Sequence, residues 1–333
     1  MKNEQHILLE MNHLCKNFRI RSKKLFGKTQ TLHALQDVSL KVYEGETLGI
    51  IGESGCGKST LGKCIVGLHE PTEGEIAYNG KVISSPKENH FADVRRDIQM
   101  IFQDPYSSLN PRKTCLKSIE EPMLIHKFSL DARQREEEVR KMMKEVGLDE
   151  QHVYRYPHEF SGGQRQRINI ARALVMNPRV IVCDEPVSAL DVSIQAQVLN
   201  LFNRIQKDFH LTYIFISHDL SVIKYISDRI AIMYLGQVVE LCNAQDIYVN
   251  PLHPYTQALL SAIPPSSPFE KKKPIELTGD VPSPIGEMTG CPLAGRCSKC
   301  MERCRKEKPE LKPYEGNHQV ACFLYGEQER EER

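Results

Sequence analysis

The stretch that most constrains this chain is Gly52-Glu53-Ser54-Gly55-Cys56-Gly57-Lys58-Ser59-Thr60. Four residues separate Gly52 from Gly57-Lys58-Ser59, which is the spacing of a phosphate loop. The apolar run Thr47 to Ile51 before it reads as a buried strand, and Leu61 to Leu68 after it reads as the start of a helix. That context gives the motif its meaning. Glycines let backbone N–H groups turn inward around phosphate oxygens, and the helix N-terminus adds partial positive charge. Lys58 would reach the β- and γ-phosphates, and the Ser59 hydroxyl would bind Mg²⁺. A chance glycine-rich turn would have no reason to sit between a strand and a helix, so the stretch reads as a nucleotide site.

A chain of 333 residues can build one large core with an appendage, or two modest domains. Its 44 Lys and Arg against 43 Asp and Glu leave a net charge of +1, so no global field points to nucleic acid or an anionic surface. Met1 to Glu10 lacks the apolar segment of a signal peptide. No apolar run approaches the ~18–20 residues that span a bilayer, so a membrane role is expected to come through a partner. Of 11 cysteines, Cys291, Cys297, Cys300, Cys304 and Cys322 crowd the C-terminal end. Without a secretion signal these suggest reduced thiols or metal ligands rather than disulfides.

Alternating apolar residues over Ile7 to Val42 predict antiparallel strands, interrupted by a basic loop from Arg19 to Lys28. Pro71-Thr72-Glu73-Gly74 and Tyr78-Asn79-Gly80-Lys81 read as hairpin turns, and strand signals continue to Ile98–Gln103. From Asp104 to about Pro157 helical periodicity takes over. Arg133 to Val146 places Val139, Met142, Met143 and Val146 on one face, with Glu136/Arg140 and Glu137/Lys141 pairs opposite. A further helix is expected over Gln164–Met176. Val180 to Cys183 and Thr212 to Ile216 are continuously apolar strands, and helices between them imply a parallel sheet. Arg229–Tyr234 and Gln237–Leu241 read as a hairpin around Gly236, and Lys271-Lys272-Lys273-Pro274 as an exposed linker. The tail 326–333 is almost all charged and is expected to be disordered.

Val180–Cys183 runs into Asp184 and Glu185. A carboxylate at the end of such a strand would stand beside the phosphate loop and hold Mg²⁺, directly or through water. Glu185 would then polarise a water for attack on the γ-phosphorus. Between the two halves, Ser161-Gly162-Gly163-Gln164 opens a helix and forms a second anion-binding N-terminus, or a plain serine cap. Two such helix ends and one catalytic glutamate suggest a nucleotide sandwiched between subunits.

The order of phosphate loop, Gln103, Ser161–Gln164, Asp184-Glu185, Ser188-Ala189-Leu190-Asp191 and His218 resembles an ATP-binding cassette ATPase, from Leu8 to about Leu241. The resemblance implies an α/β fold: a P-loop NTPase cassette with a parallel core sheet, an antiparallel β subdomain and an inserted helical subdomain at about 104–177. It also implies a role for each matching residue. Gln103 would sense Mg²⁺ and the attacking water, and Ser161 and Gly163 would cap the γ-phosphate held by an opposite cassette. Glu185 would be the catalytic glutamate and His218 the γ-phosphate switch, with Asp191 in the loop crossing the dimer. Phe18 or Phe26 would stack on adenine. No motif position is degenerate.

Tyr248 to Leu260, with Pro251, His253, Pro254 and Tyr255, resembles the segment that follows cassettes of the peptide/nickel importer family, and Asp104 to Pro111 is also similar to it. Leu25-Phe26-Gly27 resembles the "F" member of the paired oligopeptide ATPases more than the "D" member. The expected organisation is a cassette over 1–250, a loop-rich cysteine-containing extension over 251–325 and a charged tail over 326–333. Cys291, Cys297, Cys304 and Cys322, separated by five, six and seventeen residues, could take iron–sulfur or zinc, though the spacing is not a zinc ribbon. The family resemblance associates these four with a 4Fe–4S cluster, leaving Cys300 as a spare. It further implies ATP and Mg²⁺, a second homologous cassette, two permease subunits, an extracytoplasmic solute-binding protein and a peripheral place on the cytoplasmic face of the membrane. Nucleic acid is not expected as a partner. Rival expectations are a nickel or other small-solute importer ATPase, a soluble cassette ATPase acting on ribosomes or DNA, and a metal-sensing module.

Overall fold

A computed structural model describes residues 6–20, 29–263, 273–286 and 289–325. Phe26, the lysine linker as far as Lys272, and the tail 326–333 lie outside the described residues. In chain order, β1 (Ile7–Ile20) and β2 (Gln30–Tyr43) precede β3 (Thr47–Ile51) and α1 (Lys58–Ile65). Then follow β4 (Glu73–Tyr78), β5 (Lys81–Ser84), α2 (Phe91–Val94) and β6 (Ile98–Ile101). Three helices come next, α3 (Cys115–Ile125), α4 (Ala132–Glu145) and α5 (Gly162–Leu174). The core resumes with β7 (Val180–Asp184), α6 (Val192–Phe209), β8 (Thr212–Ser217), α7 (Leu220–Ile226), β9 (Arg229–Tyr234) and β10 (Gln237–Asn243). The last elements are α8 (Ala244–Val249), α9 (Pro254–Ser261), α10 (Glu302–Lys306), β11 (Lys312–Glu315) and β12 (His318–Val320).

Two sheets result. An antiparallel sheet runs β2-β1-β4-β5, and a mixed sheet runs β11-β12-β10-β9-β3-β8-β7-β6. In the mixed sheet β9, β3, β8, β7 and β6 are parallel, and β10, β12 and β11 extend it antiparallel. Successive side chains of a strand face opposite ways, and here both ways lead inward. In β7, Val180 and Val182 join the core beneath the antiparallel sheet, while Ile181 and Cys183 join the helical core. In β8, Ile214 and Ile216 take the first side and Tyr213 and Phe215 the second. A strand buried on both faces must be apolar throughout, which is why these segments show no alternation.

α4 buries Val139, Met142 and Met143, with Val146 at its C-cap, against the helical core with α3 and α5. Arg140 pairs with Glu136 at 2.6 Å as expected. Lys141 instead meets Glu138 at 4.0 Å, and Glu137 meets Arg133 at 3.1 Å, so the anticipated Glu137/Lys141 pair is not made. Pro71–Gly74 is not a hairpin turn, because β4 begins at Glu73 and pairs with β1 across a register shift between Asn12 and Cys15. Gly74 sits at that irregularity with φ +78°, where a Cβ would lie 2.2 Å from the His13 carbonyl. The chain therefore uses this glycine for close approach rather than for a turn. Phe102 and Gln103 lie beyond the end of β6 instead of continuing the strand as expected.

Candidate functional site

β3 delivers the chain to the phosphate loop, and α1 begins at Lys58 with Gly57 as its N-cap at φ +105°. The loop is tightly held. A Cβ on Gly52 would lie 2.1 Å from the Met233 carbonyl, and one on Gly57 2.4 Å from the Ala34 carbonyl. The Gly236 N–H donates to the Cys56 carbonyl at 2.8 Å, so the β9–β10 turn braces the loop from behind. Cys56 is buried, and burial pushes its thiol pKa up, which favours the neutral, unreactive form. Lys58 Nζ donates to the carbonyls of Gly52 at 2.7 Å and Glu53 at 3.0 Å.

The loop opens onto a cleft of about 500 Å³ lined by Phe18, Ser54, Gly55, Lys58, Ser59, Thr60, Gln103, Glu185 and His218 among others. Ser59 Oγ donates to Asp184 Oδ1 at 2.9 Å, joining the end of β7 to the start of α1. Burial raises the Asp184 carboxyl above its ordinary range, and the Ser59 hydroxyl and the Lys63 and Lys58 ammoniums oppose that rise. Beyond Asp184 the backbone turns left-handed, with Glu185 at φ +48°. A non-glycine residue there costs about 1 kcal/mol, and the turn takes Glu185 out of the strand. Its carboxylate then accepts from Gln103 Nε2 at 2.9 Å and stands 3.1 Å from His218 Nδ1. Three residues far apart in sequence thus meet at one wall of the cleft.

Phe18 lines the cleft from the end of β1, edge-on to His69 at 5.3 Å. His33, Ala34, Leu235, Gly236 and Pro284 also line it, and none carried a sequence signal for this place. Pro284 is held there by backbone bonds across β2, from His33 N–H to the Pro284 carbonyl at 2.9 Å and from Gly286 N–H to the Thr31 carbonyl at 3.1 Å. Residues Ser161, Gly162, Gly163, Gln164 and Asp191 do not line the cleft. Ser161 caps α5 in a reciprocal box with Gln164, at 3.3 and 3.0 Å. A Cβ on Gly163 would lie 2.4 Å from Ile194 Cγ2, so α5 packs against the first turn of α6, whose N-cap is Asp191.

Cys291, Cys297, Cys304 and Cys322 line one small cavity of about 20 Å³, together with His253 and Phe323. Cys300 does not line it. Among the described residues, no three His, Cys, Asp or Glu side chains stand close enough to hold a metal ion as placed. No helix among the described residues is long and apolar enough to cross a membrane.

Residues 35–188 match the family model described as ABC transporter, and residues 239–304 match the model described as oligopeptide/dipeptide transporter, C-terminal region. The chain is 52% identical to the oligopeptide transport ATP-binding protein OppF of Haemophilus influenzae, covering 97% of this chain and 98% of the relative. It is 46% identical to the dipeptide transport ATP-binding protein DppF of Escherichia coli, over 99% and 98% of the two chains. Among solved structures, a dimeric post-hydrolysis state of the ATP-binding cassette MJ0796 bound to ADP and phosphate superposes with a TM-score of 0.62 at 28% identity, covering 71% of this chain and 99% of that one. Sharing about half its residues with these transport proteins along nearly its whole length, the chain belongs to the ATP-binding cassette family, in the group of oligopeptide and dipeptide transport ATP-binding proteins.

Proposed function

We propose that this chain is the ATP-hydrolysing subunit that energises import of oligopeptides or dipeptides through a membrane-embedded permease. The observation that carries the ATPase is the convergence of Lys58, Ser59, Asp184, Glu185, Gln103 and His218 on one cleft. The extension match and the named activities of the relatives carry the substrate class, and they favour peptide over nickel.

In this reading the loop glycines and the α1 N-terminus bind the ATP phosphates, with Phe18 against the base. Lys58 leaves the two loop carbonyls for the β- and γ-phosphates. Ser59 and Asp184, hydrogen-bonded at 2.9 Å, would hold Mg²⁺ together with Gln103 from the same cleft, and the ion would neutralise charge on the phosphates. Glu185 accepts a proton from the attacking water, while Gln103 and His218 orient that carboxylate and, through it, the water. Ser161, Gly162, Gly163 and Gln164 point to a second nucleotide, bound by another cassette, with Asp191 crossing between the two. That explains why a helix N-terminus built like an anion site stands outside this chain's own cleft. Two cassettes close head-to-tail on two Mg·ATP, and catalysis is chiefly positioning and charge stabilisation in the closed state. Closure drives two permease subunits, and an extracytoplasmic binding protein delivers the peptide. The chain is then a peripheral subunit at the cytoplasmic membrane face.

The four thiols supply the donor type and number that a metal takes, and they would have to draw together from their present spacing to hold one. Burial pushes the Cys322 thiol up to about 12 and Cys291 up to about 11, so a bound cation is what would convert them to thiolates. Cys291, Cys297, Cys304 and Cys322 would hold a 4Fe–4S cluster or zinc, which would cross-link a segment with little secondary structure.

The test is purification of tagged chain from detergent-solubilised native membranes, with identification of what accompanies it. Two polytopic permeases and a second cassette, with ATP hydrolysis stimulated by peptide-loaded binding protein, are expected. Recovery of ribosomal or DNA-associated partners alone would overturn the importer reading.

A further inference from the structure

The C-terminal extension grips the phosphate loop. Glu53, the second residue of the loop, is held from two sides by residues more than 200 positions away. Its backbone N–H donates to the Tyr255 hydroxyl at 2.8 Å. Its carboxylate receives Arg296 Nη1 at 3.1 and 3.3 Å, in a pair whose side chains are 11% and 28% exposed for Arg296 and Glu53. Arg296 also donates to the Tyr234 hydroxyl at 3.3 Å, and the Tyr234 and Tyr255 rings pack 4.7 Å apart, both fully buried. These contacts reach the reacting end of the site in one step. The carbonyl of the same Glu53 holds Lys58 Nζ at 3.0 Å. Fixing Glu53 at its N–H and its carboxylate fixes the peptide planes on which the loop lysine is parked.

We infer that Arg296 and Tyr255 are positioning residues for the phosphate loop, so that nucleotide affinity depends on two side chains contributed by the extension. The inference rests on the reading of the cleft as an ATP site. The extension preorganises the loop, and ordering that would otherwise be spent on binding is already in place. Arg296 suits this role because one nitrogen, Nη1, ties both Glu53 carboxylate oxygens to the Tyr234 hydroxyl, anchoring the loop carboxylate to β9.

The experiment uses the full-length chain and Mg·ATP as the probe. Affinity is measured by titration calorimetry, and KM and kcat by phosphate release, for wild type, Arg296→Gln, Arg296→Lys, Tyr255→Phe, Glu53→Gln and the Glu53→Gln/Arg296→Gln double variant. Loss of one charge-assisted hydrogen bond predicts that Arg296→Gln weakens Mg·ATP by about 10-fold, raising KM in step and leaving kcat within about twofold. Arg296→Lys recovers part of the loss. Glu53→Gln matches Arg296→Gln, and the double variant is no weaker than either single one. Wild-type affinity in both Arg296→Gln and Tyr255→Phe overturns the inference, whatever happens to their melting temperatures, as does full additivity in the double variant. Failure of the wild-type chain to bind Mg·ATP would instead overturn the ATP-site reading itself.

Discussion

Glu240 offers the sharpest test of how the extension is fastened to the cassette. It lies in β10 with no exposed surface. Its Oε1 accepts from the Leu252 N–H at 2.8 Å and meets His318 Nε2 at 2.7 Å, and its Oε2 accepts from the His253 N–H at 3.0 Å. One carboxylate therefore satisfies the approach to α9 and the start of β12 together. Glu240→Leu leaves two backbone N–H groups without acceptors in a dry interior, at about 1–3 kcal/mol each, and strips His318 of its partner. Counting His318 as a third unsatisfied group at the same cost, the sum is roughly 3–9 kcal/mol. An exposed ion pair would contribute only about 0–1 kcal/mol, so the two accounts are well separated. The readout is hydrogen exchange at the Leu252 and His253 amides, whose protection should fall by about 100-fold or more. Replacing the pair together, Glu240→Leu with His318→Leu, should cost less than the sum of the single changes, since a buried pair can be exchanged for apolar groups more cheaply than it can be broken. Protection within threefold of wild type in Glu240→Leu would refute the reasoning.

Glu185→Gln should lower ATP turnover by about 10²–10⁴-fold while leaving an ATP-bound closed pair of cassettes that elutes as a dimer. Retained steady-state phosphate release would remove Glu185 as the base. Gly163→Val places a branched side chain where even a Cβ lies 2.4 Å from Ile194 Cγ2. It should abolish ATP-dependent pairing while calorimetric Mg·ATP binding to the single chain survives. Gly67 has φ +73°, and a Cβ there would lie 2.4 Å from the Phe91 ring, so Gly67→Ala should destabilise by about 1–3 kcal/mol in denaturant unfolding. Anaerobically purified chain should carry iron and acid-labile sulfide that are lost in Cys322→Ser. Stoichiometric zinc without iron would sink the cluster but keep the metal site.

The parts of the site that were legible are those where chemistry fixes both residue type and spacing. The phosphate loop must follow a strand and open a helix, so Gly52 to Thr60 could be placed from their neighbours. Asp184 could be located because it ends a strand apolar on both faces. The left-handed turn that brings Glu185 onto Gln103 and His218 had no local signal, because glutamate rarely takes that conformation and only the surrounding fold imposes it. The Arg296–Glu53 pair spans 243 positions, and a charged residue next to a cysteine looks the same whether it faces solvent or a loop. At Pro71–Gly74 the turn residues were real, but Gly74 was needed at the crossing with His13, and tertiary contact outweighed local preference. The cysteines show both outcomes. The family resemblance picked out the four that share a cavity, whereas nothing in the sequence tells that they stop short of ion-binding distance among the described residues.

The β11–β12 hairpin also has a colloidal consequence. Through Glu240↔Val320 and Leu241↔Gln319 it covers the open side of β10, a largely buried and apolar strand. What it presents outward in exchange is β11, only four residues long, with exposed Lys312 and Glu315 and with Pro313, which has no N–H to offer a passing strand. Strand edges of that kind discourage neighbouring chains from zipping on. Loss of the hairpin would bare the hydrogen-bonding row of β10, and copies of the cassette would then be expected to stick edge to edge in a crowded solution.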